Sequence, residues 1–147
     1  MIQAKAPKIT VSIDIQGEIN QIWHCWITPE HIINWYYASD DWHCPRATNN
    51  FEEGGTFSTR MAAKDGSFGF DFEGIYSKIE EHKSISYILE DDREVTIHFD
   101  YKDGTTTITQ TFDAEDENPL EMQENGWEAI LLNYKIYTED LLSQTGL

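Results

Sequence analysis

Along residues 8 to 14, KITVSID, apolar and polar positions alternate, with Ile9, Val11 and Ile13 on one side. A period of two predicts a strand with one buried face, and Gly17 ends it. From Glu18 the period changes, because Ile19, Ile22, Trp23, Trp26 and Ile27 fall at i, i+3, i+4, i+7 and i+8. That spacing is the stripe of a short amphipathic helix. Thr28 then caps a second helix with Pro29 at its first position, Glu30 in its first turn, and Ile32, Ile33 and Trp35 as its apolar residues. This helix runs out into NWYYASDDWHCPR, residues 34 to 46, where rings, carboxylates, a histidine and a cysteine crowd together.

Strand patterns then persist for more than sixty residues, divided by readable turns. KDGS at 64 to 67 is a hairpin turn, and centring it pairs Met61 with Phe70, Thr59 with Phe72 and Arg60 with Asp71. One face of that hairpin is apolar and the other carries a cross-strand ion pair. Glu90, Asp91 and Asp92 turn a second hairpin that sets Tyr87 opposite Val95 and Ile85 opposite Ile97. The third turn, Asp103-Gly104, pairs Phe99 with Ile108, Ile97 with Gln110 and Val95 with Phe112. The chain closes on a long helix, capped by Asn118 and opened by Pro119, whose stripe is Trp127, Ile130, Leu131, Tyr134, Tyr137 and Leu141. Gly126 within it costs about 1 kcal/mol against Ala, which predicts a close approach or a bend beside Trp127. There is no internal repeat, linker or low-complexity segment.

An antiparallel meander with one apolar face must cover that face, and the last helix has the apolar surface to do it. A strongly twisted sheet of six or seven strands curls around such a helix and leaves a cavity between them. The predicted class is therefore α+β: a curled antiparallel sheet wrapped on a long C-terminal helix, with two short helices after the first strand. At this length one core is expected, so residues 1–147 read as a single domain.

Composition narrows the partners. The chain has 27 acidic and 10 basic residues and a formal charge of −17, so phosphate backbones and anionic membranes are repelled. Aromatics at 13% argue for a real core inside that acidic shell. The N-terminus lacks the apolar centre of a signal peptide, and no run of about 18 apolar residues exists, which predicts a cytoplasmic protein. Cys25 and Cys44 are then expected as free thiols.

The element order and three segments in sequence, PEHIINWYYASDDWHCPRA, GGTFSTRMAAKDGSFGFDFEGIY and NPLEMQENGWEAILLNYKIY, carry a resemblance that covers nearly the whole chain. They resemble the START/polyketide-cyclase superfamily with the helix-grip fold, and within it the small bacterial proteins of the branch named after the activator of the heat-shock protein 90 ATPase. The resemblance implies the helix-grip architecture. It implies no single activity, since that superfamily holds lipid and hormone binders, cyclases, oxygenase subunits and chaperone co-regulators on one scaffold. The eukaryotic co-chaperone carries a separate chaperone-binding domain ahead of this one, which is not expected here.

His31, His43 and Cys44, with His24 nearby, match no closed zinc spacing, and His43 and Cys44 point to opposite faces if extended. Cys25 reads as a small core residue, and His98 as exposed. Asp40 and Asp41 sit among rings that could raise a carboxyl pKa, but Ser39 and Asp40 equally suit a turn. Gln110 falls on the apolar face, where a buried amide needs a partner or offers a handle to a ligand.

The expected function is non-enzymatic binding of a small hydrophobic or amphipathic molecule between the sheet and the last helix. Trp35 and Trp42 are expected as lid or wall, with Phe57, Met61, Phe70, Phe72, Tyr87, Phe99, Gln110, Trp127, Ile130 and Tyr134 around the cavity. Alternatives are a co-chaperone or stress-response partner acting through its surface, and a cyclase- or hydrolase-like enzyme using Asp40, Asp41, His43 or Arg60 at the mouth. No catalytic set, metal or cofactor is expected. A small hydrophobic ligand is the expected partner, with a chaperone or a second copy of the chain as further candidates, and neither nucleic acid nor membrane.

Overall fold

The computed structural model describes residues 7–145. Its elements are β1 (Lys8–Gln16), α1 (Ile19–Ile27), α2 (Pro29–Ile32), β2 (Trp42–Asn49), β3 (Thr56–Ala63), β4 (Gly69–Glu80), β5 (Ser84–Leu89), β6 (Glu94–Lys102), β7 (Thr105–Asp113) and α3 (Leu120–Thr145). The strands form one antiparallel sheet in the order β1-β7-β6-β5-β4-β3-β2, curled into a half-barrel around α3. Helices α1 and α2 carry the chain from one edge strand to the other. The fold is α+β, of the helix-grip kind.

Turn chemistry sets the register of the meander. The three expected hairpins pair as their turn residues dictate: Met61 opposite Phe70, Tyr87 opposite Val95, and Phe99 opposite Ile108. Asp103 and Gly104 both take positive φ, at 51° and 84°, which is the two-residue turn whose twist matches the strands. Because register fixes the facing of every side chain, Val95, Ile97, Phe99, Ile108 and Phe112 all lie on the buried concave face. Arg60 and Asp71 fall on the convex face, 3.4 Å apart, and Arg46 joins them at 3.6 Å. Partly exposed pairs of this kind contribute at most about 1 kcal/mol.

Three helix boundaries differ from the pattern. Thr28 precedes α2 without a side-chain cap; its hydroxyl lies 3.2 Å from His24 Nδ1. Helix α2 is a single turn, so Trp35 lies beyond it, its indole Nε1 donating to the Cys25 carbonyl at 3.2 Å. Helix α3 begins at Leu120, and the Gln123 side chain organises its start by donating to the carbonyls of Glu115 and Asn118. Asn118 is therefore an acceptor through its backbone and not a side-chain cap.

Helix α3 is anchored by its second half. Tyr134 is fully buried against Trp26 and Trp35, and its hydroxyl donates to the Ile22 carbonyl at 2.5 Å. Further along, Lys135 Nζ donates to the Asp14 carbonyl, and the Gln16 amide donates to Glu139 at 2.8 Å, which ties the helix to β1. Among the described residues no helix is long and apolar enough to cross a membrane.

The two interior glycines test opposite limits of packing. A Cβ on Gly74 would stand 2.9 Å from the Ile88 carbonyl oxygen and from the Phe57 ring, whereas a Cβ on Gly126 would meet nothing within 4 Å. Gly74→Ala is expected to destabilise the fold by about 1–3 kcal/mol through overpacking, and Gly126→Ala to stabilise it by up to about 1 kcal/mol through helix propensity. Urea unfolding of both variants checks this; equal midpoint shifts would refute it.

Candidate functional site

The concave face does not close completely onto α3. A cavity of about 310 Å³ lies between the sheet and the first half of the helix. Its walls follow from two periodicities. Strand alternation turns Met61, Phe70, Phe72 and Gln110 inward, and the i, i+4, i+8 spacing of Met122, Gly126 and Ile130, with Gln123 and Trp127 beside them, lays one helix face over them. Tyr36 and Ala38 close one side, and Arg93, Glu115 and Asn118 complete the wall. Trp127 stacks on Phe112 with ring centroids 3.9 Å apart, and Phe72 meets its edge at 6.0 Å.

Of the two roles expected of Gly126, a close approach or a bend, the close approach is not what the structure has. Gly126 faces empty space, so its missing side chain adds volume to the cavity. At the mouth, Phe70 is 40% exposed and Met122 58%. Trp42 and Phe68 pack against Phe70, with centroids 6.1 and 6.2 Å away, and extend the apolar rim.

A second, internal void of about 40 Å³ lies deeper, beneath α1 and α2, with room for one or a few waters. Tyr36, Tyr76 and Tyr87 reach it together with Asn49. The Tyr76 hydroxyl donates to Asn49 Oδ1 at 2.7 Å, and Asn49 Nδ2 donates to the Ile27 carbonyl at 2.6 Å. Burial pushes the pKa of all three phenols above the ordinary tyrosine value, so they stay neutral. Tyr36 lines both the void and the cavity and is the partition between them.

Of the residues expected around a cavity, Met61, Phe70, Phe72, Gln110, Trp127 and Ile130 line the larger one. Trp35, Phe57 and Tyr87 line the internal void. Phe99 packs in the core against Trp23 and Trp26, and Tyr134 between Trp26 and Trp35. Trp42 stands at the rim. Strand parity alone could not divide these rings, because one concave face serves both the packed and the open parts of the interior.

The cavity also contains residues that the pattern passed over. Arg93 keeps the parity of Val95 and Ile97, so its inward direction was legible, but it stands beside the acidic turn, one residue before β6 begins. Met122, Gln123 and Gly126 precede the obvious apolar stripe of α3, and Tyr36 lies in an irregular segment.

The carboxylates and the histidine of residues 34 to 46 face water. Asp40, Asp41 and His43 are exposed, and Asp41 Oδ1 accepts a hydrogen bond from the Ser39 hydroxyl at 2.6 Å in a local turn. Cys44 points inward from β2, away from His43, and burial pushes its thiol up to about 11, which keeps it protonated. Cys25 is likewise a buried free thiol raised by burial. Among the described residues no group of three His, Cys, Asp or Glu side chains is placed to hold a metal ion.

Comparison with known proteins accords with this architecture. Residues 17–139 match the profile of the family described as Activator of Hsp90 ATPase homolog 1-like protein. The solution structure of an AHSA1-like protein from Aeromonas hydrophila is 39% identical, with a TM-score of 0.83 over 90% of this chain and 94% of that one. A solution structure from Cytophaga hutchinsonii is 46% identical, with a TM-score of 0.79 over 92% and 94% of the two chains. A crystal structure from Nitrosomonas europaea, 17% identical, shares the fold at a TM-score of 0.77 over 98% of each chain. No curated protein matches the sequence. Matched to the family profile over most of its length, and superimposing on two clearly related solved structures, the chain belongs to the family of Activator of Hsp90 ATPase homolog 1-like proteins.

Proposed function

We propose that this protein binds a small hydrophobic or amphipathic molecule in the cavity between the sheet and the first half of α3, without transforming it. The observation that carries this reading is the cavity itself: about 310 Å³, walled mainly by Met61, Phe70, Phe72, Trp127 and Ile130, with a few polar groups. That volume lies at the lower end of the range of small-molecule sites, roughly 300–1,000 Å³. A gap of this size lined by apolar groups forfeits dispersion contacts on every wall, and a ligand of matching shape restores them. The exposed rim of Phe68, Phe70 and Met122 gives an apolar molecule a route in. A cyclase- or hydrolase-like reaction in the same cavity draws no support from Asp40, Asp41, His43 or Arg60, none of which lies on its wall.

Titration with N-phenyl-1-naphthylamine, a neutral apolar fluorophore, is expected to give saturable enhancement at one site per chain. Gly126→Leu, which places a branched side chain into the open space beside Gly126, is expected to weaken that binding at least about tenfold, the cost of roughly 1.4 kcal/mol of lost contact. Its unfolding midpoint should equal or exceed the parent's. Unsaturable binding, or full binding by the Gly126→Leu variant, would overturn the proposal.

A second reading, a surface-acting regulator of a chaperone ATPase, is favoured by the family description together with Leu132 and Ile136, 50% and 60% exposed one turn apart on α3. Stoichiometric protein is then expected to raise the ATPase rate of purified heat-shock protein 90, with loss of the effect in Leu132→Ser/Ile136→Ser. An unchanged ATPase rate would remove this reading.

A further inference from the structure

The cavity wall holds one cation. The chain carries ten Lys and Arg against 27 acidic residues, and among the described residues Arg93 is the only one of the ten on that wall. Its position is set by strand parity: it lies two residues before Val95 and four before Ile97, which are 0% and 1% exposed on the concave face. Its side chain is 25% exposed, so much of it is removed from water. A cation in such a place is costly unless oxygen acceptors replace the water.

The acceptors present cover one edge of the group. Asp91 accepts from Arg93 Nε at 2.7 Å and from the Arg93 amide at 3.3 Å, which fixes the guanidinium edge-on at the turn. Asp91 is itself 55% exposed and sits outside the cavity wall. No side chain among the described residues bonds the two terminal nitrogens, which form the fork that binds oxyanions in two parallel hydrogen bonds. Glu115, the one carboxylate on the wall, is held at the start of α3, where its Oε1 accepts the Asn118 amide at 2.7 Å. The field of Arg93 reaches the interior: burial dominates the raised pKa of Tyr87, and Arg93 opposes that rise.

We infer that the cavity selects an amphipathic anion, an apolar ring system or chain bearing one oxyanionic group, and that Arg93 is the residue that binds this group. This rests on the cavity being a ligand site. Carboxylate, sulfonate and phosphate ends share the required chemistry, and the apolar body then lies along Phe72 and Trp127. Gln110, 3% exposed on the same wall, sits opposite Ile97, four residues along β6 from Arg93 and roughly 13 Å away at the usual strand rise. It therefore contacts the body of the ligand and not the charged end.

The test compares two fluorophores that share one ring system, 8-anilino-1-naphthalenesulfonate and N-phenyl-1-naphthylamine, which differ by the sulfonate. In Arg93→Met the ratio of sulfonate to amine affinity is expected to fall about tenfold, the loss of one charge-assisted contact. Arg93→Lys should keep most of the ratio, which separates loss of charge from damage to the fold. An unchanged ratio in Arg93→Met, or an equal fall in Arg93→Lys and Arg93→Met, would overturn the inference while leaving the cavity a binding site. If neither fluorophore binds the parent protein, both readings fail together.

Discussion

The burial of Tyr134 beneath α1 and α2 governs the rest of the molecule. Its ring fills the space between Trp26 and Trp35, and its hydroxyl ends on the Ile22 carbonyl. A phenol buried this deeply must find an acceptor, and the Ile22 carbonyl supplies it. With Lys135 and Glu139 bonded to the backbone of β1, the second half of the helix is seated against the sheet edge and the short helices. The first half then arches over the concave face without meeting it everywhere. The cavity is thus a consequence of where the helix is fastened.

That arrangement divides one apolar surface into a packed part and an open part. Where α1 and α2 press on the sheet, rings interdigitate and leave only a void of about 40 Å³. Where the first half of α3 covers the sheet, with Tyr36 and Ala38 at one side, about 310 Å³ stays open to the rim. Tyr36 stands between the two regions, its phenol kept neutral by burial. The first region is packed and the second is open. Among the described residues, the one cation of the wall, Arg93, belongs to the second, just before β6, where Asp91 of the acidic turn holds it by one edge.

Much of this was readable before the fold was known, and the reasons are local. Asp103-Gly104 admits only a two-residue turn with positive φ, so the partners of Phe99 and Ile97 followed from counting residues. The same counting set Arg60 against Asp71 on the outside and placed Gln110 on the inner face. The irregular stretch at residues 34 to 41 resisted because it is placed by partners elsewhere in the chain: the Trp35 indole by the Cys25 carbonyl, and the Tyr37 backbone by Asn133, whose Nδ2 donates to its carbonyl. Nothing in the spacing of Asp40, Asp41 and His43 tells whether they face protein or water.

By itself, then, the sequence determined the element order, the three hairpin registers and the facing of the residues paired in them, because turn geometry and the period of two act over a few residues. Which of the inward rings touch one another and which border open space was decided only by tertiary structure. That division depends on the seat of α3 relative to α1 and α2, a placement made by contacts more than a hundred residues apart, such as Tyr134 with Ile22. The identity of the cavity-lining cation belongs to the same class. Parity pointed Arg93 inward, and only the position of the helix over it made that direction a site.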